Sequence, residues 1–307
     1  VFRTLRAEGV DISPASSDPD APTGLILFEP RLPDVTRIHY YRAGSAGSRM
    51  APDVLDRAFA TTAPQVLHLV GITPALGRAP STHALHLARE RETTVCPDVN
   101  HRSRLWTADQ ASAVLRDWIP YVDILISSTD GLSLCLPPGS PADITAQAGQ
   151  WPAAGVTEIV VKLGPDGATS YTHPEPHPAN QRPCHPHHAI DGSLHQPAVP
   201  VQAVDPMGAG DAFVAGYLST LLDGEGVVGR LERGVTTGAF AVTSPGDWKG
   251  APTRAELRLL GAPPGTVVRW PTPFSPHVLP PFSPSRANLW PCLVTNTAAV
   301  PAARPSS

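Results

Sequence analysis

The sequence has no CxxC pair: its four cysteines, Cys96, Cys135, Cys184 and Cys292, are scattered along 307 residues. In a chain of this size that spacing fits a reduced, intracellular protein and argues against a disulfide scaffold. No apolar run approaches the ~20 residues that cross a bilayer. Val1-Phe2-Arg3-Thr4-Leu5-Arg6 has neither the apolar core nor the cleavage pattern of a signal peptide. Basic residues are not in excess either. The formal net charge is −4, so the electrostatic footprint of a nucleic-acid binder is missing. The expectation is a soluble cytoplasmic protein with no nucleic-acid or membrane partner, long enough for one large α/β domain or two small ones.

Proline, by contrast, is abundant at 37 residues, many of them in two stretches. One stretch, 172–200, is also rich in histidine; the other is 270–307. Proline fixes φ and removes a backbone donor, so neither stretch is expected to form regular helix or central strand. The first reads as a surface insertion and the second as a disordered tail. Cys184-His185-Pro186-His187-His188 contains metal-ligand residue types but lacks the second spaced pair of a closed zinc site, so a plain loop is the favoured reading.

The rest of the chain is patterned. Leu25-Ile26-Leu27-Phe28 and Ile38-His39-Tyr40-Tyr41 alternate as a hairpin within about 23–45. Strand patterns then follow at 66–70, 93–96, 122–126 and 158–162, and helix patterns at 82–92, 108–118, 142–150 and 209–222. Apolar strands alternating with helices argue for a parallel sheet covered on both faces. Ligands of such sheets bind at the carboxyl ends of the strands.

The most informative string is Asp205-Pro206-Met207-Gly208-Ala209-Gly210-Asp211-Ala212-Phe213-Val214-Ala215-Gly216-Tyr217. Gly208, Ala209 and Gly210 leave backbone N–H groups unshielded at the start of a helix, where the dipole also favours an anion. Asp211 then falls in the first turn, placed to take a proton from a hydroxyl that attacks a bound phosphate. Ala212, Ala215 and Gly216 would let the helix approach the sheet. A Gly-rich helix start with a favourable first-turn charge is the plain alternative.

This string resembles the second signature of the ribokinase-like (PfkB) carbohydrate kinases. Within that family the likeness is to kinases of 2-keto-3-deoxygluconate and runs over 1–269. It rests also on Leu5-Arg6-Ala7-Glu8-Gly9-Val10-Asp11, Tyr40-Tyr41-Arg42-Ala43-Gly44-Ser45-Ala46 and Leu67-His68-Leu69-Val70-Gly71-Ile72-Thr73-Pro74-Ala75-Leu76. Further on come Asp98-Val99-Asn100-His101-Arg102, Val161-Lys162-Leu163-Gly164-Pro165-Asp166-Gly167-Ala168 and Gly246-Asp247-Trp248-Lys249-Gly250.

The resemblance implies an α/β, ribokinase-like three-layer sandwich with a mostly parallel sheet and a small β-lid. It implies ATP and Mg²⁺ as cofactors and a small sugar acid as partner, with assembly into a homo-oligomer left open. Gly208, Ala209 and Gly210 would form the anion hole, and Asp211 would be the catalytic base. Tyr40 and Arg42 would contact the sugar acid from the lid, and Arg102 would reach the same site. A guanidinium fork matches a carboxylate better than a neutral sugar. For each arginine alone a solvated surface charge is the alternative. Of Tyr40 and Tyr41 at most one faces the sugar, because alternate strand residues point to opposite faces. Asp247 would also meet the substrate, or cap a turn. Asn100, Lys162, Gly164, Gly167, Gly208, Gly210, Gly238 and Ala239 would hold the nucleotide, with a plain tight turn as the alternative for the segment from Lys162 to Gly167. Metal ligands stay unassigned.

Three departures from the family follow. The match begins partway into the fold, without the first strand and its Gly-Gly-Ala-x-Asn-x-Ala motif. Ser127-Ser128-Thr129-Asp130-Gly131 stands where the family carries an Asn-x-x-Glu-like segment, with Gly131 in the place of the Glu. A raised Mg²⁺ requirement, relieved by Gly131→Glu, is the expectation. The tail has no counterpart. The expected function is an ATP-dependent sugar kinase that phosphorylates a hydroxyl of a keto-sugar acid such as 2-keto-3-deoxygluconate. The alternatives are a binding remnant without turnover and a kinase for another sugar such as ribose or a fructose phosphate.

Overall fold

The computed structural model describes residues 1–32, 35–61, 63–151, 155–172, 192–263 and 265–267. The middle of the Pro/His stretch, with Cys184, His185, His187 and His188, and the tail 270–307 lie outside the described residues. By its internal contacts the chain divides into two units, Val1–Lys162 with Ser170–Ser193, and Leu163–Thr169 with Leu194–Leu289.

After α1 (Phe2–Ala7), β1 (Leu25–Leu32) and β2 (Val35–Tyr41) form the expected antiparallel hairpin, with Ile26 opposite Tyr40 and Leu25 opposite Tyr41. Then come α2 (Asp53–Thr61), β3 (Val66–Leu67), α3 (Ile72–Leu76), α4 (Arg78–Glu90) and β4 (Thr94–Val95). They are followed by α5 (Ala108–Trp118), β5 (Ile124–Ser128), α6 (Thr129–Leu132), α7 (Ile144–Ala148) and β6 (Glu158–Lys162). Helix α4 starts before the expected 82 because Pro80 falls in its first turn, where a missing N–H breaks no intrahelical bond. Helix α5 begins as its pattern indicates. The Thr107 side chain accepts from the Gln110 N–H, while the Gln110 side chain accepts from the Thr107 N–H.

The pairing is parallel, as expected for an α/β chain. Strand β3 pairs with β4, β5 pairs with β6, and Asp98 bridges Val70 on one side and Ile126 on the other. Leu67, Val95, Leu125, Ile126, Ile159 and Val160 are all buried. Near-continuous burial along a strand is what cover on both faces dictates.

Strands β7 (Ala168–Thr172) and β8 (Gly192–Gln196) complete a sheet of order β5-β6-β7-β8. Strand β8 falls within 172–200, where neither regular helix nor central strand is expected, and it is an edge strand. Its five residues include no proline, and it stands last in the order, where a strand needs one partner only.

The second unit holds α8 (Ala209–Leu222) and α9 (Val227–Val242). Gly216, expected against the sheet, makes its close approach to α9: a Cβ there would stand 2.2 Å from Thr237 Oγ1. The Thr237 hydroxyl in turn donates to the Ala212 carbonyl at 2.7 Å. Among the described residues no helix is long and apolar enough to cross a membrane.

Candidate active site

The start of α8 is built around Gly208, whose φ of +75° is left-handed. A Cβ at Gly208 would lie 2.0 Å from the Asp247 carbonyl oxygen, so only glycine lets Gly246 and Asp247 press against the helix start. Asp205 braces both sides of this junction. Its Oδ1 accepts from Met207 N at 3.0 Å and its Oδ2 from Gly246 N at 2.9 Å. The first N–H groups of a helix have no intrahelical acceptor, which leaves an anion-seeking end here. Asp211 sits exposed in the first turn. Gly238 faces the same junction, since a Cβ there would stand 3.4 Å from the Ala209 carbonyl, and Ala239 beside it is buried. The second unit therefore gathers Gly208, Ala209, Gly210, Asp211, Gly238, Ala239 and Asp247.

The tight turn after β6 is also present in that unit. Gly164–Asp166 is a 3-10 turn, closed by Leu163 N donating to Gly167 O at 2.8 Å. Gly167 touches the chain just past β8, where a Cβ would lie 2.1 Å from the Gln196 carbonyl.

In the first unit, Tyr40, Arg42, His101, Arg102, Ser103, Arg104 and Leu105 line a cavity of about 220 Å³. No carboxylate is among them. The Arg42 guanidinium stacks over the Tyr40 ring, 4.5 Å from its centroid. Tyr41, its neighbour in the strand, is 58% exposed and absent from this lining, but lines a second cavity together with His39, Tyr40, Arg104 and Leu105. The structure thus brings Tyr40, Arg42 and Arg102 together.

It adds two residues that the sequence reading passed over, His101 and Arg104. His101 Nε2 is buried with no hydrogen-bond partner among the described residues. The available signal was position: both flank Arg102 in the segment that leaves the sheet.

Asn100 and Lys162 converge on Asp98. Lys162 Nζ stands 2.5 Å from Asp98 Oδ2, and Asn100 N donates to Asp98 Oδ1 at 3.2 Å.

Packing argues against an easy gain from Gly131→Glu. Gly131 is buried in α6, where a Cβ would come within 2.7 Å of Ser127 Oγ and 3.0 Å of Val99 Cγ1. A side chain there requires the Ser127 hydroxyl to turn aside and Val99 to yield by a few tenths of an ångström. The neighbouring Asp130 is exposed and accepts from Ser128 Oγ at 2.5 Å. Among the described residues no three His, Cys, Asp or Glu side chains come together to hold a metal.

Helices between parallel strands, an anion-seeking helix start and a cationic cavity are the parts of an α/β phosphotransferase. The chain matches the pfkB family carbohydrate kinases over residues 1–254. It is 34% identical over 265 residues to a 2-dehydro-3-deoxygluconokinase of Thermoproteus tenax, covering 85% of this chain and 74% of that one. To the protein of the same name from Bacillus subtilis (strain 168) it is 30% identical over 263 residues, 84% of this chain and 75% of the other. An E. coli chain described as ribokinase II, solved in complex with ATP and Mg²⁺, shares the fold. Its TM-score is 0.71 at 21% identity, over 84% of this chain and 77% of that one. This chain belongs to the PfkB family of carbohydrate kinases.

Proposed function

We propose that this kinase transfers the γ-phosphoryl group of ATP to a hydroxyl of a keto-sugar acid such as 2-keto-3-deoxygluconate, the 2-dehydro-3-deoxygluconate of its relatives' names. The observation that carries the substrate class is the cavity lined by Arg42, Arg102 and Arg104 and by no acid. Planar guanidinium forks match a carboxylate, and a neutral sugar would leave them unanswered. Tyr40 holds Arg42 by stacking, and Asp247 contributes on the sugar side.

Asp211 acts as general base on the attacking hydroxyl, and the N–H groups around Gly208, Ala209 and Gly210 take up the phosphoryl charge. Asn100, Lys162, Gly164, Gly167, Gly238 and Ala239 serve the nucleotide. Mg²⁺ belongs to the substrate as MgATP. It keeps several waters and relies on phosphate oxygens with few carboxylates. On this reading residues 1–269 work as one kinase domain in the cytoplasm, with the hairpin around 23–45 as its lid.

The experiment is ATP-dependent phosphorylation of 2-keto-3-deoxygluconate, ribose and fructose 6-phosphate by the wild type and by Arg102→Lys. A charged hydrogen bond is worth about 1.5–3 kcal/mol. Arg102→Lys should therefore lower kcat/KM for the acid sugar about tenfold or more and leave ribose nearly unchanged. Equal losses on both sugars, or a wild type that prefers ribose, would sink the assignment.

A further inference from the structure

We infer that Asp98 is a positioning residue, whose one buried carboxylate sets both the turn that delivers Arg102 and the seat of Lys162. The inference rests on the reading of Arg102 as a sugar-acid ligand and of Lys162 as a nucleotide ligand.

Asp98 lies just past the ends of β3 and β4, between Val70 on one side and Ile126, midway along β5, on the other. It bridges Val70 and Ile126, its N–H donates to Leu69 O at 2.8 Å, and its carbonyl accepts from Gly71 N at 3.0 Å. The residue is 1% exposed. A carboxylate that deep must be paired and hydrogen-bonded, and both of its oxygens are. Oδ2 holds Lys162, the last residue of β6, and Oδ1 caps the N–H of Asn100.

Asn100 has a φ of +36°, in the left-handed region that non-glycine residues seldom enter and asparagine tolerates best. That turn breaks the strand direction, and Arg102, two residues on, lines the cavity.

A purely structural role accounts for this poorly. A buried ion pair is weak stabilisation, often matched by apolar residues of the same size. The Lys162 side chain also keeps 17% of its exposure, so the pair reaches solvent and does not lie in sealed core. Its place is the strand-end edge where sheets of this kind bind ligands.

The test uses a neutralised background. Asp98→Asn with Lys162→Met removes both charges but keeps an amide oxygen for the Asn100 N–H. Asp98→Ala with Lys162→Met lacks the whole carboxamide, and that oxygen with it. Amide hydrogen exchange of 98–105 and KM for 2-keto-3-deoxygluconate and ribose are measured on both double variants and the wild type.

The alanine form should exchange at Asn100 at least about tenfold faster than the asparagine form. It should also raise KM for the acid sugar about tenfold with ribose within about threefold, because a misplaced Arg102 loses only its own contact. The Lys162→Met single variant, which strands the carboxylate, should raise the acid-sugar KM likewise. Adding Asp98→Asn to it, both measured at saturating ATP, should lower that KM at least about threefold from the Lys162→Met value. Equal exchange in the two double variants, or no rescue, overturns the inference. Faster exchange in the alanine form with acid and neutral sugars shifting together instead overturns the reading of Arg102.

Discussion

Alanine substitutions at Gly208 and Gly246 separate two costs that meet at the start of α8. Both glycines are left-handed, with φ of +75° and +97°. An alanine at such φ costs about 1–2 kcal/mol in backbone strain. At Gly246 nothing lies within 4 Å of the added Cβ, so strain is the whole cost. At Gly208 the Cβ would stand 2.0 Å from Asp247 O and 2.7 Å from Asp247 C, both backbone atoms. Helix start and loop must then part by more than an ångström, against the double hold of Asp205 on Met207 N and Gly246 N. A misplacement of ~1 Å at a reacting centre costs about 10²-fold in rate.

Gly246→Ala should therefore lose ~1–2 kcal/mol in urea denaturation and keep kcat within a few-fold. Gly208→Ala should lose at least as much stability and about 10²-fold in kcat/KM, followed by ADP release with the acid sugar. If the two variants show the same kcat/KM, the close approach of Asp247 to the helix start has no part in positioning the phosphate.

Asp211→Asn should lower kcat by about 10²–10⁴ with KM for ATP little changed; near-normal turnover removes Asp211 from the role of base. Gly131→Glu should destabilise by at least ~1–3 kcal/mol through overpacking, and a rate-against-Mg²⁺ curve shifted to lower Mg²⁺ would refute the packing argument. Burial pushes the Cys135 thiol up to about 12, from an ordinary 9.0. A raised folded value favours the protonated thiol in the native state, so this contribution is full below the ordinary value and is lost as pH rises toward the folded one. Between those limits wild-type stability should fall by about 1.4 kcal/mol per pH unit more steeply than that of Cys135→Ala; parallel pH profiles in urea would count against it.

What the sequence made legible was whatever leaves a signature in residue type. Helix α5 was legible in the helical pattern over 108–118, and β6 in an unbroken apolar run. Gly208 was readable as part of a Gly-rich helix start, but its left-handed φ and its contact with Asp247 were not. Strand β7 was not readable. Ala168-Thr169-Ser170-Tyr171-Thr172 has little apolar content, and its burial is supported by Ser170 Oγ donating to the buried Glu158 at 2.6 Å. Strands β3 and β4 were read too long, since beyond two paired residues each the chain continues only through single bridges such as that of Asp98. Arg104 and His101 escaped for a related reason: which side of a non-repetitive segment faces a cavity has no period to read.

The way charge is distributed explains why the arginines and the lysine divide their tasks. Lys162 is already matched by Asp98 at 2.5 Å, so its ammonium carries little unanswered field. Arg102 and Arg104 have no ion pair among the described residues, and both are exposed. Exposed unpaired guanidiniums contribute almost nothing to holding a fold together. Two of them beside Arg42 instead concentrate positive potential in a cavity of about 220 Å³, and an anion entering it supplies the missing counter-charge. A phosphate at the start of α8 needs no such arginines, because helix N–H groups serve it. The cationic cavity therefore calls for a second anionic group, and on the keto-sugar acid proposed above that group is the carboxylate.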